Sequence, residues 1–156
     1  MRVLIACAFA IILAATGARA DSFSGPVTIN NTNAGASRVL CSIRAANMNS
    51  TADQTCAIPA AVTAWTPLSV LATNCTGSLT LAVGGFYPSA SKGGTALVAA
   101  TQAYSSLSSA SVTLIATLAA TIANTRYTIN STFLSLTTAA GSAATCDVYL
   151  IGTDLT

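Results

Sequence analysis

Apolar and polar residues alternate with a period of two along much of the chain, which is the signature of half-buried β-strands. Val27 and Ile29 alternate with Thr28 and Asn30. Val39, Cys41, Ile43 and Ala45 alternate with Arg38, Ser42 and Arg44. Leu68 and Val70 follow Pro67, and Leu79, Leu81 and Val83 precede Gly84-Gly85, read here as a strand end. Thr95 to Tyr104 is a weaker strand candidate. Tyr127, Ile129 and Phe133 share one parity, whereas Leu134 and Leu136 take the other, and such a switch predicts a β-bulge. Cys146, Val148 and Leu150 form a last strand with Asp147 and Tyr149 opposite.

The segment 108–123 fits two readings. Val112, Leu114, Leu118 and Ile122 keep strand parity, while Ile115, Leu118 and Ile122 also suit a helix face; the strand reading is preferred for its Thr, Val and Ile content. With turn signals at 31–35, 84–85, 93–94 and 141–142, about eight short strands predict an all-β fold. The expected form is a single antiparallel β-sandwich, Ig-like or jelly-roll-like.

The first twenty residues stand apart. Arg2 precedes an uncharged apolar run from Val3 to Thr16, and Ala18-Arg19-Ala20 has the small-x-small pattern of a signal-peptidase site. Residues 1–20 are therefore expected to be a cleaved signal peptide, and 21–156 a single secreted β domain at the cell surface, in the periplasm or outside the cell. The apolar run is too short for a spanning helix of about 20 residues, so no membrane span is expected after cleavage.

Cleavage changes the charge. The precursor carries +2, but Arg2 and Arg19 leave with the leader. Arg38, Arg44, Lys92 and Arg126 then face Asp21, Asp53, Asp147 and Asp154, and the net charge is zero. No basic patch for nucleic acid is present. Solubility must come from the 22 Thr and 17 Ser of residues 21–156. Near-zero net charge promotes association, and edge strands with so few charges lack the usual guards against pairing with another chain.

Cys7 also leaves, and Cys41, Cys56, Cys75 and Cys146 remain. An even count in an exported chain predicts disulfides. Of the three pairings that four cysteines allow, Cys41–Cys56 and Cys75–Cys146 are favoured: one closes a short loop, and the other ties the chain's middle to its last strand. Zinc is not expected, because neither paired C-x-x-C spacing nor any His is present.

Chemistry has little to draw on. Without His or Glu the common general bases are missing, and no Ser-His-Asp or Cys-His site can form. Asp53 and Asp147 are the remaining carboxylate pair to consider, and nothing in the sequence brings them together. Ser89-Ala90-Ser91-Lys92 has S-x-x-K spacing, but follows Pro88 between two Gly-Gly pairs, reads as a loop, and lacks companion motifs. No enzyme activity and no cofactor are expected.

The same loop, 84–94, is the expected ligand-binding region, with Phe86, Tyr87 and Lys92, joined by Trp65. Aromatic faces suit sugars and partner proteins; the competing reading makes Phe86 and Trp65 core plugs. Asn30, Asn49, Asn74 and Asn130 begin N-x-S/T triplets that accept glycans in a eukaryotic secretory pathway. The expected function is a non-catalytic structural or adhesive module, with self-association or a surface glycan or protein as partner. The alternative is a carbohydrate- or ice-binding module, with Thr113, Thr117 and Thr121 as a flat row.

Overall fold

The computed structural model describes residues 35–107, 109–122 and 124–156. The expected signal peptide and the expected strand at 27–30 lie outside the described residues.

The described chain is all-β. Its strands are β1 (Ser37–Asn47), β2 (Gln54–Ala57), β3 (Trp65–Thr76), β4 (Val83–Tyr87), β5 (Leu114–Ala116), β6 (Ser131–Thr138) and β7 (Thr145–Asp154). They form two antiparallel sheets, ordered β1-β7-β3-β5 and β2-β6-β4. Odd-numbered strands thus build one sheet and even-numbered strands the other, so the chain changes sheet at every connection. The segment 98–103 runs beside β4 and meets it through isolated bridges, Phe86 to Val98 and Val83 to Ala103.

Strand parity explains the layering. On β7, Cys146, Val148 and Leu150 are buried and point inward; on β3, Val70 and Ala72 do the same. Phe86 on β4 and Leu134 and Leu136 on β6 meet them from the other sheet in one continuous core. Because one face of each strand enters this sandwich-like interior, the register is fixed: a slip of one residue would turn the core side chains outward.

Both favoured disulfides are present. Cys41–Cys56 joins β1 to β2, the edge strands of the two sheets, so it holds the layers together along one side. Cys75–Cys146 lies within the larger sheet, between neighbours β3 and β7.

Three local expectations are corrected. Gly84-Gly85 does not end a strand: β4 begins at Val83 and runs through both glycines. A Cβ on Gly84 would collide with the Leu136 Cα, and one on Gly85 would lie 2.5 Å from the Val98 carbonyl oxygen, so these glycines permit close backbone approach instead of a turn. Leu79 and Ala82 instead anchor a turn, with the Ala82 N–H bonded to the Leu79 carbonyl at 3.0 Å.

The parity switch after Phe133 is not a bulge in β6, whose pairings with β2 and β4 run unbroken from Ser131 to Leu136. Tyr127 instead pairs with Trp65 of the larger sheet, exchanging backbone bonds of 2.8 and 2.9 Å, and the chain then crosses to the smaller sheet. The switch of parity is a switch of layer.

Of the segment 108–123, the described residues 109–122 form neither one strand nor a helix. The segment holds the three-residue β5 and a 3-10 turn at Ala120–Ile122. Its parity was nonetheless informative, because Val112, Leu114 and Leu118 pack against the core and Ile122 is buried in it.

Candidate functional site

The four expected ligand residues do not form one surface. Trp65, the first residue of β3, is fully buried; its ring stacks on Tyr127 at 4.8 Å and its indole N–H donates to the Ile129 carbonyl at 3.0 Å. Phe86 is also fully buried, on β4 in the other sheet. Tyr87 is buried opposite Phe133, and loss of hydration raises its phenol above the ordinary value. Lys92 alone of the four is exposed.

Lys92 sits in a tight turn in which the Gly93 N–H donates to the Ala90 carbonyl at 3.0 Å. Ser91 and Lys92 both have left-handed backbones, φ 56° and 58°, an arrangement that Asn and Gly adopt more readily. Asp53 holds the turn: its carboxylate accepts the Ser91 N–H at 2.5 Å and the hydroxyl of Ser135 on β6. Those bonds, Ser135 first, and the nearby Lys92 charge keep its carboxyl below the usual range. The S-x-x-K residues therefore lie on a turn, not on a helix face. Asp53 serves the smaller sheet and Asp147 the larger one, each with its own partners.

Asp147 lies in the larger sheet, on central strand β7, between two irregular neighbours. The β1 ladder skips between Ile43 and Ala46, and the β3 ladder between Thr73 and Thr76. Each bulge holds one left-handed residue, Ala45 at φ 48° and Asn74 at φ 50°. The Asp147 carboxylate accepts from both: from the Ala45 backbone N–H at 2.9 Å and the Asn74 side-chain amide at 3.2 Å. Arg44 adds a 2.8 Å ion pair, donates to the Tyr149 hydroxyl and covers the Tyr149 ring at 5.1 Å. These donors, the Ala45 N–H foremost, depress the Asp147 pKa.

Above this cluster the outer face of the larger sheet turns apolar. Val39 pairs with Ile151 across β1 and β7, Leu71 with Tyr149, and Leu71 with Ile115 across β3 and β5. Since Val148, Leu150, Val70 and Ala72 point inward, these neighbours point out. Val39 is 52% exposed, Ile115 67%, and Leu68, at the β3 bulge, 49%. The band runs diagonally from one edge strand to the other. Hydroxyls fringe it: Thr73 bonds Thr113 at 3.0 Å and Thr76 bonds Thr145 at 2.9 Å. Thr113, Thr117 and Thr121 do not make the expected row, since they lie before β5, after it and in the 3-10 turn.

The edges are guarded after all. Arg38 on β1 stands opposite Gly152 and forms a 3.1 Å ion pair with the buried Asp154, and β1 carries two register shifts. β5 has three residues and β2 four. An inward charge, bulges and short strands are the standard defences of a sheet edge, which makes faces better docking surfaces than edges here.

Sequence reasoning missed the apolar band, although a signal existed. Val148-Tyr149-Leu150-Ile151 is apolar at both parities, and an unbroken run of that kind indicates a strand with both faces in contact with something. Among the described residues no group of His, Cys, Asp or Glu is placed to hold a metal, and no helix is long and apolar enough to cross a membrane. Compared with known proteins, the chain matches no family model, no curated protein and no solved structure.

Proposed function

We propose that this protein is an exported, non-catalytic structural or adhesive module that works through the outer face of its four-stranded sheet. The apolar band from Val39 to Ile115 carries the reading. Contiguous exposed apolar surface with a polar rim is the usual mark of an interaction face. The two disulfides and the leader-like residues 1–20 support export to an oxidising compartment. The lack of His and Glu supports a non-catalytic role. Trp65 and Phe86 are too buried to offer rings to a sugar, which weighs against the carbohydrate alternative.

The sandwich itself is best read as a jelly roll. That fold packs two four-stranded sheets built from Greek keys. The order β1-β7-β3-β5 over β2-β6-β4, with segment 98–103 as a fourth position beside β4, supports this reading. An Ig-like sandwich keeps several consecutive strands within one sheet, whereas here only β4 and segment 98–103 follow one another in a sheet and the other strands alternate.

Retention of the exported product on the surface of the secreting cells tests the functional reading. Wild-type protein should fractionate with the cell surface, and a Val39→Lys/Ile115→Lys variant of equal secreted yield and melting temperature should appear in the medium. Equal release of both proteins would remove the proposal.

A further inference from the structure

Resting on that reading, we infer that the occupant of the outer face is a second copy of the same chain, packed sheet against sheet across a two-fold axis, so that a copy is retained at the cell surface by pairing with another copy held there. Three observations favour this partner.

The first is charge. Arg44 and Asp147 are the charged residues of this face, and they are paired to each other. A strongly acidic or basic partner would find nothing to pair with, whereas a second neutral copy meets no like-charge repulsion.

The second is area. The four strands contain 36 residues. Each strand residue covers about 16 Å² of sheet plane, from a rise of about 3.3 Å and a strand spacing of about 4.8 Å. The face therefore offers about 570 Å² per copy in projection, or about 1,100 Å² for a pair. That exceeds the roughly 800 Å² of incidental contacts and approaches the lower limit of specific interfaces, about 1,200 Å².

The third is shape. The band is diagonal, with Val39 at one end and Ile115 at the other. A two-fold axis in the interface plane, perpendicular to the band, lays Val39 of one copy over Ile115 of the other, and the contact repeats itself by symmetry. Stacked sheets come to about 10 Å, close enough for these side chains to interdigitate. The hydroxyl pairs Thr73–Thr113 and Thr76–Thr145 then lie at the rim, where polar groups belong.

Sedimentation velocity on the exported product of the full chain, over a concentration series, tests this. A reversible monomer–dimer equilibrium is expected. Ile115→Lys should weaken it by about tenfold or more, because each dimer would bury two unpaired ammonium groups. Leu81→Lys, at an exposed apolar position in the turn between β3 and β4 and outside the four strands of the face, should leave it unchanged, and melting curves of both variants identify loss of folding. A monomer at every concentration overturns the inference. So does equal disruption by Leu81→Lys, or occupation of the face by residues 21–34 of the same molecule, seen as a monomer whose band resists labelling. A monomer that is still retained on the cell surface overturns the dimer alone; a monomer released from it overturns the functional reading as well.

Discussion

The Asp147 carboxylate accepts the backbone N–H of Ala45 at 2.9 Å, binding the central strand to the left-handed residue of the edge-strand bulge. The Asn74 amide in the opposite bulge reaches the same carboxylate, so one side chain steadies both neighbours of β7. Two bulges that would otherwise loosen the end of the sheet become fixed features beneath the apolar band.

Asp147→Ala should therefore destabilise the fold by about 2–4 kcal/mol, since it strands a backbone donor and an amide together. Arg44→Ala should cost about 1 kcal/mol or less, because the guanidinium is 68% exposed and its ion pair is screened by solvent. Urea denaturation of both variants gives the comparison; equal losses would mean that the ion pair, not the backbone bond, dominates.

The same bonds set a pH dependence. The carboxyls of Asp147 and Asp53 are lower in the folded chain than in the unfolded one. A depressed acid contributes its full stability above the unfolded value, about 3.9 for Asp, and loses it as pH falls through the folded value. Stability should be flat near neutrality and decline below about pH 4. Asp147→Asn should reduce that acid decline, as followed by midpoints of urea unfolding across the acidic range.

Removing the disulfides should give unequal effects. The Cys75–Cys146 bond closes a separation of 71 residues and Cys41–Cys56 one of 15. Loop-closure entropy then assigns about 4 kcal/mol to the first and about 3 kcal/mol to the second. Paired Cys→Ala variants, compared by chemical denaturation, check the order. A larger loss from Cys41/Cys56 would show that the joint between sheets matters more than loop length.

Gly84→Ala should be severe, because the new methyl would meet the Leu136 backbone and the Ser135 carbonyl in β6. Its melting temperature should fall by more than that of Gly141→Ala. There a left-handed φ of 81° is the main penalty and the nearest atom, Leu81 Cδ1, lies at 3.4 Å. The reverse order would argue against the tight β4–β6 approach.

These two glycines show where the sequence was and was not legible. On β7 parity alone locates Cys146, Val148 and Leu150 in the core; on β1 it held for Cys41 and Ile43 but failed for Val39 and Ala45, which the register shifts on either side of that pair turn outward. The Cys41–Cys56 pair followed from its short loop, and Cys75–Cys146 from the tie it makes between the chain's middle and its last strand. Gly84-Gly85 was misread because a glycine that admits a neighbouring backbone looks the same, in one dimension, as a glycine that turns the chain. The switch after Phe133 was misread because a bulge and a change of sheet leave the same trace. Trp65 and Phe86 were candidates for ligand contact because an aromatic near a turn reads alike whether it covers the core or faces solvent. The outer face was overlooked because Val39, Leu71, Ile115 and Ile151 belong to different strands, and only their pairing places them together.

Covalent footprinting at low and high protein concentration tests the claim about that face most directly. We expect labelling of Val39, Leu71 and Ile115 to fall as concentration rises, while labelling of Thr55 and Phe133, on the outer side of the smaller sheet, stays constant. Labelling of the band that does not change with concentration, or protection confined to the smaller sheet, would contradict it.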